Sequence, residues 1–391
     1  MQKIDIHKQL EIIKRGAVEI ISEAELRKKL EESIRSNKPL NIKAGFDPTA
    51  ADIHLGHTVL LRKLRQFQEL GHKVYFLIGD FTARIGDPSG RSEKRKQMTP
   101  KEVLENAATY KKQVFKILNP NKTKIVFNSK WFDRMQGLEF GRLLTHYTAT
   151  RLLERDDFSL RIKEKKPLYM SELVYPILQG YDSVVLDADV EIGGTDQKFN
   201  LLVGRDLQQD FGQPQQVVVT MPLLEGTDGV QKMSKTFGNY IGINEPPKDM
   251  FGKIMSISDE LMIKYYELLT EEDSGAVKKM HPKEAKLRLA ENIIAQYHSQ
   301  KDASLARREF ERVFSQKELP EGMPEYKIDG AKTIITILLS SGLVKSGNEA
   351  RRLIKQGAIF FDNYPIDKDN FIPQRSGILK VGTRRFLKVV A

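Results

Sequence analysis

Short apolar runs alternate with helix-length stretches through the first 225 residues, and this alternation restricts the chain more than any other feature. Residues 40–46, 73–79, 124–127, 189–192 and 216–220 read as strands. Residues 58–70 read as a helix that stops at Gly71, a C-cap residue type. Residues 11–36 read as one amphipathic helix, with Ile13, Ala17, Ile20, Ile21 and Ala24 on its apolar side. Strands separated by helices of this length imply a parallel sheet with crossover helices. The expected class is therefore α/β, with a doubly wound core over residues 1–225. Its ligand should lie beyond the carboxyl ends of the strands.

The pattern changes after Pro246-Pro247. Residues 259–270, 283–298 and 303–315 are helical in period with no strand between them, so 246–316 is expected to be an α-helical domain. Residues 317–330 carry two prolines and two glycines and read as a linker. The chain then folds again as a small α+β domain over 331–391. Helices are expected at 332–341 and from Ser346 to Lys355, ended by Gly357, with strands at 358–362 and 378–381.

Charge is spread unevenly. The whole chain carries +11. Residues 331–391 hold 11 Lys and Arg against 4 Asp and Glu, a net +7, which leaves +4 for everything before them. A basic cap on a near-neutral body points to a polyanionic partner, most simply nucleic acid. The absence of cysteine excludes disulfides and thiolate zinc sites. No apolar run approaches the roughly 18 residues a membrane span needs. The N-terminus lacks the apolar stretch of a secretion signal, and cytoplasmic residence is the expectation.

Three clusters carry chemistry. His54-Leu55-Gly56-His57 is placed to open a helix, where free backbone N–H groups attract anions. Gly56 lets a nucleotide approach the backbone. His54 and His57 share one helix face, and no third metal ligand stands near them in sequence. Lys232 and Lys235, with Thr236, follow a glycine-bearing stretch at 225–229. Two lysines three apart on such a loop suit the charge of a leaving pyrophosphate. Tyr175, Gln179 and Asp182 fall on one face of a third segment. Pro176 beside them must lie near that helix's first turn or kink it.

In this order, with Lys43-Ala-Gly-Phe-Asp-Pro-Thr49 ahead of the first island, the His and Lys clusters resemble the paired signatures of class I aminoacyl-tRNA synthetases. Residues 175–182 resemble the substrate helix of the tyrosyl-tRNA synthetases. Gly86-Asp87-Pro-Ser-Gly-Arg91 and Ile192-Gly-Gly-Thr-Asp-Gln197 resemble two further signatures of that family. Residues 331–391 resemble the RNA-binding domain of the S-four ribosomal-protein type. The resemblance implies a Rossmann-like catalytic core to 225, a signature lysine loop at 226–245, a helical anticodon-side domain, and an RNA-binding tail.

It also implies roles. His54, His57, Lys232, Lys235 and Thr236 would be catalytic, acting on ATP as substrate with Mg²⁺ on the nucleotide. Asp47, Thr49, Gly56, Gly194 and Asp196, with the two lysines, would bind ATP. Asp182 would accept the phenol of tyrosine, Tyr175, Gln179 and Asp87 would hold its ammonium, and Gln197 would face its carboxylate. Arg351, Arg352 and Lys355 would meet tRNA(Tyr) phosphates, and the protein would be a homodimer without zinc. Three positions depart from the family. Lys43 stands where many bacterial members have a tyrosine that also contacts the phenol, Thr236 replaces a serine, and Leu55 replaces an isoleucine. The alternatives are a tryptophan–tRNA ligase of the same group and a non-catalytic RNA-binding protein on a synthetase scaffold.

Overall fold

The computed structural model describes residues 5–49, 52–88, 98–314, 323–328, 330, 332–362, 364–382 and 385–390. Residues 315–322 and 329 of the expected helical and linker segments, and 89–91 of the third signature, lie outside them. The chain divides into two compact units, Met1–Arg307 and Arg308–Ala391.

The first unit is built on a six-stranded sheet. Its strands are β1 (Glu19–Ile21), β2 (Asn41–Phe46), β3 (Lys73–Ile78), β4 (Thr123–Phe127), β5 (Val190–Gly194) and β6 (Val217–Met221). They lie in the order β1-β6-β5-β2-β3-β4. All neighbours are parallel except β1, which runs antiparallel to β6. Every residue of β5 and β6 is buried, as expected of parallel strands covered on both faces. The chain winds outward from β2 to β3 and β4, then returns to build β5 and β6 on the other side. The order therefore reverses between β2 and β5, and a crevice opens there at the carboxyl ends.

Residues 11–36 form not one helix but two, Ile6–Lys14 and Glu23–Ser36, with β1 between them. Local chemistry explains the break. Gly16 adopts φ +72°, which ends the first helix. The β-branched run that follows is drawn into the sheet, Val18 N–H donating to Thr220 O at 2.8 Å. Ser22 and Glu25 then cap each other and start the second helix. Lys63, 2% exposed, secures the first helix by donating to the carbonyls of Ile12, Ile13 and Arg15 at 2.8–3.0 Å.

The other expected strands stand within two residues of their observed bounds. The helix expected from Thr58 begins earlier, spanning Leu55–Glu69. Pro176 is the seventh residue of Met170–Leu186, so that helix runs through it rather than starting beside it. The helices Pro247–Met255, Asp259–Leu269, Pro282–Tyr297 and Gln300–Phe314 follow β6. Within the unit, Arg62 ties the sheet-side helix Leu55–Glu69 to Gln296 at 2.6 Å.

The second unit holds a five-stranded sheet in the order β7-β11-β10-β8-β9. The strands are β7 (Glu325–Lys327), β8 (Ile359–Phe361), β9 (Tyr364–Pro365), β10 (Gly377–Val381) and β11 (Arg385–Val390). Helices Ile334–Ser340 and Gly347–Lys355 pack on it. The linker expected at 317–330 is thus corrected. Residues 325–327 form β7, parallel to β11, because Tyr326 packs against the domain core. β9 and β11 were also not anticipated.

Candidate active site

A cleft of about 840 Å³ opens at the β2–β5 crevice. Fifteen residues singled out from the sequence line it: Asp47, Thr49, His54, Gly56, His57, Asp87, Tyr175, Gln179, Asp182, Gly194, Asp196, Gln197, Lys232, Lys235 and Thr236. Arg351, Arg352 and Lys355 belong to the other unit, where all three are exposed on the helix Gly347–Lys355.

β2 ends at Phe46 and delivers Asp47. The next helix begins with His54 as its extended N-cap residue. Two turn-forming contacts hold the histidines. His57 Nδ1 accepts the His54 backbone N–H at 3.3 Å, and the rings stack with centroids 3.8 Å apart. That contact leaves the proton of neutral His57 on Nε2. Burial, reinforced by His57 and Lys235, pushes His54 down to about 2. Burial, then Lys235, pushes His57 down to about 4. Both rings are therefore neutral near pH 7, and each can offer a ring N–H but no positive charge.

The lysine segment meets this helix directly. Gly56 N–H points at Met233 Sδ, 3.3 Å away, and Leu55 N–H donates to Ile241 O at 2.9 Å. A side chain at Gly56 would press on the His54 ring and Met233. Lys232 Nζ rests on Asp196 Oδ2 and Lys235 Nζ on Asp52 Oδ2, each at 3.0 Å. Both pairs are part-exposed, so each lysine can exchange its carboxylate for a phosphate at little cost. Asn239 shapes the loop, accepting from Ser234 N–H at 2.8 Å and donating to Asp228 at 2.9 Å.

The other end of the cleft is buried and polar. Asp182, 2% exposed, accepts from Trp131 Nε1 at 3.0 Å and from Asn128 Nδ2 at 3.3 Å. Burial raises its carboxyl to about 7, against the lowering pull of Lys43, Asn128 and Trp131. Tyr175 donates its hydroxyl to Asp47 Oδ2 at 3.0 Å, and Thr82 donates to Asp47 Oδ1 at 2.8 Å. Gln197 Nε2 donates to Asp87 Oδ2 at 2.9 Å. Asn200 Nδ2 lies 3.0 Å from both Gln179 Oε1 and Gln197 Oε1, joining the two amides.

Sequence reasoning missed Asp52, Thr82, Asn128, Trp131, Asn200 and Asn239. Asn128 carried a signal, since it directly follows β4 at the carboxyl edge of the sheet, where ligands bind. Trp131 is the sole tryptophan of the chain. Lys43 is fully buried and does not reach the cleft. Its ammonium pairs with Glu191 Oε1 at 2.9 Å and donates to Ser183 Oγ at 2.7 Å and Gln179 O at 3.0 Å. Lys43, noted as a departure in the sequence, is thus a member of an internal ion pair.

The family of class I tRNA synthetases (W and Y) matches residues 35–315. Similar proteins include the tyrosine–tRNA ligase of Carboxydothermus hydrogenoformans, 54% identical over 99% of this chain and 98% of that one. The tyrosine–tRNA ligase of Aquifex aeolicus is 53% identical over 98% of each chain. Among solved structures, tyrosyl-tRNA synthetase from Archaeoglobus fulgidus complexed with L-tyrosine superposes with a TM-score of 0.63 at 24% identity, covering 78% of this chain and all of that one. A truncated mitochondrial tyrosyl-tRNA synthetase from Aspergillus nidulans gives 0.65 at 21% identity, covering 80% and 95%. At those identities the likeness is one of fold. The chain belongs to the class I aminoacyl-tRNA synthetases, in the family of the tryptophan and tyrosine enzymes, and its full-length relatives are tyrosine–tRNA ligases.

Proposed function

We propose that the cleft condenses tyrosine with ATP to tyrosyl-adenylate and then passes the tyrosyl group to the 3′ end of tRNA(Tyr). One observation carries this reading. The His54/His57 helix start and the Lys232/Lys235 loop line the same cleft as Asp182. A phosphate-handling end and a phenol-accepting end therefore share one cavity.

Tyrosine enters with its phenol toward Asp182, whose carboxylate accepts the O–H. Tyr175, Gln179 and Asp87 take the ammonium, and Asp47 orients Tyr175. Gln197, steadied by Asp87 and Asn200, faces the carboxylate. The nucleotide lies along Asp47, Thr49 and Gly56, with its ribose toward Gly194 and Asp196. No base is required, because the amino-acid carboxylate is already ionised. One of its oxygens attacks the α-phosphorus in line, and the bond from that phosphorus to the bridging oxygen of pyrophosphate breaks. Positioning and charge stabilisation supply the catalysis. His54 and His57 donate to the phosphate oxygens, and Lys232 and Lys235 leave Asp196 and Asp52 to neutralise the departing pyrophosphate. Mg²⁺ carried in on the nucleotide would help neutralise the triphosphate charge.

Discrimination against phenylalanine follows from burial. Without a phenol, Asp182 would be left desolvated and one partner short. Arg351, Arg352 and Lys355 are exposed cations suited to tRNA phosphates, and the active species is a homodimer. Among the described residues no helix is long and apolar enough to cross a membrane. Tyrosine-dependent ATP–pyrophosphate exchange tests the reading. No exchange, or faster exchange with tryptophan, overturns it. A Lys235→Ala variant that still supports growth in place of the intact chain would favour a purely RNA-binding role.

A further inference from the structure

The two faces of the five-stranded sheet in residues 308–391 differ. On one face Phe361, Leu379, Val381 and Leu387 pack with Ile337 and Ile354 of the two helices. Strand alternation sends Phe360, Lys380 and Phe386 to the opposite face. The ladder register sets them in one row. Phe360 lies opposite Lys380 across β8 and β10, and Lys380 lies opposite Phe386 across β10 and β11. Pro365 of β9 extends the row beside Phe360. The Lys380 ammonium stands 5.8 Å from each ring centroid, within cation–π range of both. All three side chains remain half-exposed.

We propose that this row is a stacking surface for unpaired bases of a bound RNA. The proposal rests on the tRNA-ligase reading above and goes beyond it. Two aromatic faces on an open sheet suit splayed bases, which stack on such rings whatever their sequence. The lysine between the rings answers the phosphate that accompanies each base. A protein partner fits less well, because lysine is depleted at the centres of protein interfaces. The net +7 of residues 331–391 adds the long-range attraction a polyanion needs. This face is also separate from the contact proposed for Arg351, Arg352 and Lys355. Their helix packs on the sheet's other side, so phosphates and bases would be met by different layers of the domain.

The test uses the full-length chain and a fluorescently labelled, tyrosine-accepting tRNA transcript, with anisotropy read over a range of KCl concentrations. The double variant Phe360→Ala/Phe386→Ala should raise Kd about ten- to a hundredfold at every salt concentration, the loss of one or two stacked bases. Its slope of log Kd against log salt should not change. Lys380→Gln should weaken binding and lower that slope by about one. Tyrosine-dependent pyrophosphate exchange should stay at the parent level in both. Should the alanine pair fail to fold, Phe360→Leu/Phe386→Leu keeps apolar bulk in the sheet while removing the stacking faces, and should show the same loss. Unchanged Kd in a folded double variant with normal exchange overturns the proposal. So does unchanged Kd with an altered oligomeric state, which would make the row a protein interface. Absence of exchange in the parent chain would instead strike the ligase reading.

Discussion

Lys43 and Glu191 face each other directly across β2 and β5, with Nζ 2.9 Å from Oε1 and each side chain only 1% exposed. Ser183 and Gln216 complete the Glu191 carboxylate through Oε2, at 3.0 and 2.5 Å. The same lysine holds the Gln179 carbonyl, so the pair ties the cleft-lining helix Met170–Leu186 to the sheet. Removing one member leaves the other charge buried without its partner. Lys43→Met should therefore destabilise the protein by about 3–5 kcal/mol in urea unfolding. Lys43→Met/Glu191→Gln should recover most of that loss. A single variant as stable as the parent would show that the pair does not brace the site.

Burial raises the Asp182 carboxyl to about 7, so on the proposed reading tyrosine binding should depend on pH. If the phenol O–H donates to the ionised carboxylate, as proposed, binding should be constant above pH 7 and weaken about tenfold per unit below it. Trp131→Phe removes one donor that favours the ionised form, and should move the inflection upward. Titration of tyrosine Kd by calorimetry between pH 5.5 and 8.5 reads both effects. The stability effect has the opposite sense. The folded pKa lies above the unfolded value of 3.8, so the folded state binds the proton more tightly. The associated stability is present at low pH and lost as pH rises through about 7. Asp182→Asn should thus stabilise the protein at pH 8 while abolishing selective tyrosine binding.

His54 and His57 should not titrate across the working range. Their pKa values, held near 2 and 4 by burial and Lys235, leave both rings neutral from pH 5 upward. The pyrophosphate-exchange rate at saturating tyrosine should show no histidine inflection there. On the proposed reading His57→Ala removes a donor to the developing charge, so the exchange rate should fall by about 10²–10³, or about 2.7–4 kcal/mol, with tyrosine Kd almost unchanged. Both folded values lie below the ordinary 6.5, so the unfolded chain binds more protons between about 4 and 6.5. Stability from this source is complete above pH 6.5 and lost as pH falls. An inflection near 6.5 that His57→Ala removes would contradict the assigned neutrality.

The strands of the core were legible because their apolar runs are continuous and bounded by glycine or polar turns, as at Lys73–Ile78. Residues 11–36 misled because Ile13, Ala17, Ile20 and Ala24 keep helical spacing across a break made by Gly16 and by pairing with Thr220, a partner some 200 residues away. β7 was hidden by Pro324 just before it and by a pairing to β11 that only the fold reveals. The cleft's lining was legible where residues form local islands. Asp52, Thr82, Asn128 and Asn200 are single polar residues whose meaning comes from what stands across from them. Lys43 was visible as a departure, but its partner Glu191 stands one residue ahead of the Ile192–Gln197 signature, and only the β2–β5 pairing sets the two side by side.

Gly79 is a local constraint on the nucleotide side. It follows β3, where a methyl group would overlap the Asp47 carboxylate and the Thr82 hydroxyl. Gly79→Ala must therefore push Asp47 away from Thr82 or shift the loop that carries it. Because Asp47 also orients Tyr175, the variant should raise KM for both ATP and tyrosine in the exchange assay. The cost should be about 1–3 kcal/mol, typical of overpacking at a fixed site. Unchanged KM for both substrates would mean that the Asp47–Thr82–Tyr175 arrangement is not needed for binding.

The edge strand β7 decides where the C-terminal unit, the proposed RNA-binding tail, can be removed. Its register with β11, Lys388 opposite Glu325 through Val390 opposite Lys327, makes residues 325–327 part of the C-terminal sheet. A cut after Gly330 would leave that strand attached to the catalytic unit with no partner, an exposed edge prone to association. A cut after Phe314 removes the sheet whole. The chain ending at Phe314 should keep pyrophosphate exchange, lose most of its tRNA affinity, and show a shallower dependence of the remaining binding on salt. The chain ending at Gly330 should show the same catalytic profile but a larger apparent size in sedimentation. Equal loss of exchange and tRNA binding in the shorter chain would mean that the tail is not a separable RNA-binding unit.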